Sequence, residues 1–177
     1  MHVKAKTVAF GGLLLALSVV FMALGSIIET STLFLLAAAS YFVGIVIREF
    51  GLKTGLAFYL AAVLLGFITA PNKFYVITFT AMGFYILGIE TVWKWLEKRH
   101  EMNRRHTVFW ISKYVIFNIV YIPIVFVFRD MLFSQAVSGG VLAGVLIGGQ
   151  IALFIYDRAY DYVQAHVWGK IRGRMMG

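Results

Sequence analysis

The residues able to do chemistry in this chain are few, and most of them lie in apolar surroundings. Glu90 sits in the run GFYILGIETVWKW, where an ionised carboxylate is costly unless it is paired or has a use. Lys94 follows one helical turn later, so an i,i+4 ion pair is the reading that the spacing favours. Coupling to another subunit and proton relay are the alternatives, but no second carboxylate or histidine lies close enough in sequence to complete a relay. Asn118 and Gln150 fall near the middle of two long apolar stretches. Amides there need partners; interhelical hydrogen bonding is the first expectation, with ligand contact as the alternative. Asp157 and Asp161 are one turn apart with Arg158 between them, which reads as a solvated helix end rather than a cation site. The histidines, His2, His100, His106 and His166, fall in terminal or loop segments, and no HExxH, GxSxG or phosphate-loop pattern is present. We therefore expect no enzyme, no ATP hydrolysis and no bound cofactor or metal.

These residues are carried by a chain of membrane character. Of its 177 residues, 61% are hydrophobic and 14% charged, far from the usual balance of a soluble domain. Cysteine is absent, which removes disulfides and thiolate metal sites. A bilayer core of about 30 Å takes roughly twenty helical residues, and six stretches qualify: 7–28, 33–50, 54–70, 74–96, 107–129 and 136–157. The first is read as a span rather than a secretion signal, because its apolar run is too long for a signal core. The expected fold is all-α, a six-helix integral membrane bundle forming a single domain. Its tail, from about Asp157 to Gly177, either continues the last helix or lies along the membrane surface.

The net charge of +8 is read as orientation, not as nucleic-acid binding. Sorted by loop, all Lys and Arg except Lys73 and Arg129 fall on one side, including Lys94, Lys113 and Arg158. The positive-inside rule makes that side cytoplasmic and places both termini there, in a multi-pass protein of a cell membrane, most simply a bacterial plasma membrane. Trp93, Trp95, Trp110, Tyr114 and Trp168 fall near that boundary, where aromatic rings favour headgroup level. Membrane lipid is the first partner implied.

Small residues supply a second pattern. In SGGVLAGVLIGGQIALF, Gly140, Gly144 and Gly148 recur every four residues between Ala136 and Ala152. Such a groove lets a neighbouring helix backbone approach closely, so these glycines are expected to pack against another helix of the same chain or of a separate subunit. Ala5, Ala9, Gly12 and Ala16 form a similar face on the first span, either packed in the bundle or open to a partner. Polar residues of the outer loops, Glu29, Thr32, Asn72, Lys73 and Arg129, form the rim that would meet an external solute. With Asn118 and Gln150 below them, they are the candidate substrate-binding set. Simple solvated turns are the alternative.

The first span, AKTVAFGGLLLALSVVFMALGS, is followed by a short outer loop and an Ala/Gly-rich second span. In these features, and in size and helix number, the chain resembles the substrate-binding S components of energy-coupling factor transporters. The family's AxxxA element looks matched by Ala5 to Ala9. The resemblance implies docking onto an ECF module of transmembrane scaffold and ATPases, and uptake of a small solute such as a vitamin. One departure is the first outer loop: Ser26 to Thr32 is too short for a substantial lid. Rod-shape membrane proteins of the MreD type are broadly similar in size and helix count. They suggest the alternative of a non-transporting scaffold in a cell-envelope assembly.

Overall fold

In hydrocarbon each backbone N–H and C=O needs a partner from its own segment, so long apolar runs fold as helices. The computed structural model describes residues 2–98, 104–127, 139–170 and 172, and these are helical apart from short turns. In chain order the helices are α1 (His2–Gly25), α2 (Thr32–Phe50), α3 (Leu52–Thr69), α4 (Lys73–Glu97), α5 (Arg105–Val127) and α6 (Gly139–Tyr162). All six are long and apolar enough to cross a membrane, as a multi-pass membrane protein requires. The last continues into a π-helical segment, Val163–Trp168, and on to Lys170. The tail thus prolongs α6 rather than leaving it at Asp157.

The chain forms two compact units, Met1–His100 and Glu101–Gly177. In the first, α2 packs against α1, α3 and α4. Leu36, Ala39, Val43, Val46 and Ile47 are fully buried, and their spacing of three and four defines the inward stripe of α2. Leu14, Ser18 and Met22 form the buried face of α1, and Ser18 Oγ donates to the Ala39 carbonyl at 3.3 Å. The turn into α3 passes through Gly51 at φ +89°, a left-handed conformation that glycine adopts without a Cβ penalty. Its N–H donates back to Ile47 O at 3.0 Å, closing the end of α2. Between α3 and α4, Tyr59 lies on Gly83 so closely that a Cβ there would overlap its ring. The Tyr59 hydroxyl donates to Thr80 O at 2.9 Å.

The second unit is a helical hairpin. The contacts Lys113 to Asp157, Asn118 to Gln150 and Tyr121 to Val145 run in opposite sequence directions, so α5 and α6 are antiparallel. The Tyr121 hydroxyl donates to Val145 O at 2.7 Å, and its ring covers Gly149 where a Cβ would stand. The close approach of α5 and α6 is therefore made at Gly149. Gly140, Gly144 and Gly148 are exposed, with no heavy atom within 4 Å of a Cβ built on them.

Candidate functional site

In the first unit the polar cluster forms where α2 and α4 meet. Glu90 is 3% exposed, and Arg48 Nε and Nη2 both reach its Oε1, at 2.8 and 2.6 Å. This corrects the expected pairing with Lys94. Lys94 Nζ donates instead to the Ile47 carbonyl at 2.9 Å, placing a cation at the negative end of the α2 dipole. Arg48 serves Glu90 because α2 and α4 are direct neighbours. Arg48 is half in solvent, at 41% exposure of its side chain, so this cluster sits at the edge of the buried region.

The cluster of the second unit is more enclosed. Lys113 Nζ lies 2.8 Å from Asp157 Oδ2, with side-chain exposures of 4% and 2%, and 3.7 Å from Asp161 Oδ2. The same ammonium stands over the rings of Phe109 and Trp110, 4.6 and 5.1 Å from their centroids. Two expectations are corrected here. Asp157 is not a solvated helix end. Lys113 is a buried pairing partner rather than a marker of the cytoplasmic boundary. The signal for it was its position, well inside an apolar stretch that a cation enters only if paired.

Further along the hairpin, Asn118 and Gln150 exchange amide hydrogen bonds: Asn118 Nδ2 donates to Gln150 Oε1 at 3.2 Å and Gln150 Nε2 to Asn118 Oδ1 at 2.9 Å. Asn118 Nδ2 also donates to Tyr114 O at 2.9 Å. The spacing brings these two residues together as expected, and each amide satisfies the other.

The rim residues are placed at helix ends. Thr32 is buried and its hydroxyl donates to Gly25 O at 2.8 Å, bracing the turn from α1 to α2. Asn72 is the N-cap of α4 and accepts from Phe74 N–H at 3.0 Å. Lys73 Nζ donates to the carbonyls of Phe67 and Ala70, closing the end of α3. Glu29 lies in the single turn Glu29–Ser31 before α2. Arg129 and Ala136 lie outside the described residues.

The partner-binding candidates share one condition. Ala5, Ala9, Gly12 and Ala16 are all exposed, on the side of α1 away from its buried Leu14, Ser18 and Met22. Gly12 has nothing within 4 Å of a built Cβ. Trp168, placed by sequence at the membrane boundary, is buried. No group of three or more metal-ligating side chains occurs among the described residues.

Comparison with known proteins adds no identity: no family model, no curated protein and no solved structure matches this chain.

Proposed function

We propose that this protein is a membrane-embedded subunit that docks onto a partner membrane protein through the small-residue face of α1, as the solute-binding subunit of an energy-coupling factor type importer. An even number of crossings would leave both termini on one side, and the basic excess supports reading that side as the cytoplasm, most simply that of a bacterial cell. The observation that carries the reading is the open face of Ala5, Ala9, Gly12 and Ala16. Between helices in lipid, apolar burial gains little, and close backbone contact across small side chains drives association. A face of this kind left uncovered by its own unit is suited to receive a second helix. The partner is a transmembrane scaffold carrying ATPase subunits, since this chain has no nucleotide-binding motif of its own.

The test is co-purification. Replacing Ala5 and Ala9 together by Leu should abolish capture of an ATPase-bearing partner while the protein still inserts and purifies. If the complex survives intact, the docking assignment is wrong.

A second reading, a non-transporting scaffold similar to the MreD type, is favoured by a separate observation. Thr32, Asn72 and Lys73 spend their polar groups on helix ends, and Asn118 and Gln150 spend theirs on each other. Native mass spectrometry of gently purified protein separates the two: a retained small solute supports the importer, and a stable protein partner without solute supports the scaffold.

A further inference from the structure

In the second unit Arg158 stands on aromatic rings rather than in an ion pair. Asp157 and Asp161, the carboxylates nearest to Arg158 in sequence, are both turned toward Lys113, at 2.8 and 3.7 Å. The contacts of Arg158 among the described residues are two ring faces. Its guanidinium carbon lies 5.4 Å from the centroid of Trp110 and 5.4 Å from that of Phe154. These rings stack on each other at 6.4 Å, and Tyr114 extends the shelf by stacking on Trp110 at 6.3 Å. The shelf holds the guanidinium plane in place, as cation–π stacking does, and leaves its N–H edge free to receive an anion.

The surroundings specify what kind of anion. Arg158 is exposed, and beside it Phe154, Ile155 and Ile151 present bare apolar surface, with Ile155 at 63% exposure. An exposed apolar surface beside a guanidinium held on aromatic rings matches a molecule with acyl chains at one end and a negative phosphodiester at the other. We infer that Arg158, on its Trp110 and Phe154 shelf, is a binding site for the headgroup of an anionic phospholipid. The inference rests on the reading that α5 and α6 cross a bilayer. It does not depend on the importer assignment.

Native mass spectrometry of the full chain in detergent, titrated with phosphatidylglycerol or phosphatidylcholine of the same acyl chains, tests the site. The wild type should retain phosphatidylglycerol over phosphatidylcholine. Arg158→Gln should lower the phosphatidylglycerol adduct about fivefold, the loss of one interfacial cation, and leave the phosphatidylcholine adduct unchanged. Trp110→Leu, which removes the shelf and keeps the charge, should lower it as well. Lys53→Gln, an equal loss of charge at an exposed position of α3, should have no effect. Equal losses in Arg158→Gln and Lys53→Gln would reduce the site to general charge and overturn it. So would displacement of phosphatidylglycerol by inorganic phosphate. A chain that stays soluble without detergent fails the bilayer reading at purification, before any lipid is added.

Discussion

The two units use the same devices in different surroundings. Each has a tyrosine lying on a glycine of the neighbouring helix with its hydroxyl on a carbonyl about one turn earlier: Tyr59 on Gly83, bonded to Thr80, and Tyr121 on Gly149, bonded to Val145. Each also has a buried carboxylate paired across helices, Glu90 with Arg48 and Asp157 with Lys113. What differs is the apolar packing around them. Half of the α2 span is buried, against 11% of the spans of α5 and α6. In the first unit, α2 is held by close-packed side chains on three neighbouring helices, and its ion pair sits at an edge. In the second, a single seam joins two helices, and its polar contacts carry a larger share of the association. Lipid makes the second arrangement tenable, because apolar side chains facing acyl chains lose little by being uncovered.

The largest test of this contrast is Lys113→Met, which strands the buried Asp157 carboxylate. We expect a loss of about 3–5 kcal/mol in the stability of the second unit, read from SDS-induced unfolding in mixed micelles. Adding Asp157→Leu should recover most of it; no recovery would mean that the pair does not act as a pair. Glu90→Ala should cost less, about 1.5–3 kcal/mol for a charged hydrogen bond, because the half-exposed Arg48 can turn to water. An equal or greater loss than in Lys113→Met would break the contrast. Gly83→Ala should cost about 1–3 kcal/mol by overpacking against Tyr59, and Gly149→Ala should cost less, since α6 has fewer neighbours to resist a small shift. Asn118→Ala, which removes both of the amide hydrogen bonds to Gln150, should cost about 1 kcal/mol, roughly twice the average for one interhelical hydrogen bond in a membrane. Gly144→Ala, on the open stripe, should stay within about 0.5 kcal/mol of the wild type.

Much of this fold is legible in sequence for one physical reason: helices in lipid announce themselves by length and apolarity. The stretch expected at 33–50 is the helix Thr32–Phe50. Asn118 and Gln150 were also readable as partners, because two amides at similar depth on consecutive helices meet when the connection is a hairpin. The partner of Glu90 was not. Arg48 is 42 residues away, and the pairing depends on α2 and α4 meeting side by side with α3 between them in sequence. A local i,i+4 rule favours Lys94, and nothing in the spacing says that Lys94 is needed at the end of α2. Lys113 was obscured by a different rule, since a tally of basic residues treats every lysine as a boundary marker whatever its depth. The four-residue glycine period identified a smooth face on α6 but not which face α5 covers. That choice is made by Tyr121, whose ring settles on Gly149.

The widened turn at Val163–Trp168 has a consequence for how α6 tolerates changes in length. Leu153, Asp157, Tyr160, Gln164 and Trp168 are all buried, so one side of the helix stays turned inward across the change of winding. Removing a single residue within that turn would restore regular winding and leave Trp168 on the buried line, because the widened turn already holds the one extra residue. Removing one between Asp157 and that turn would instead rotate everything beyond it by about 100° and swing Trp168 off the line, while Asp157 kept its lysine. The final turns of the chain are thus keyed to residue count as well as to residue type.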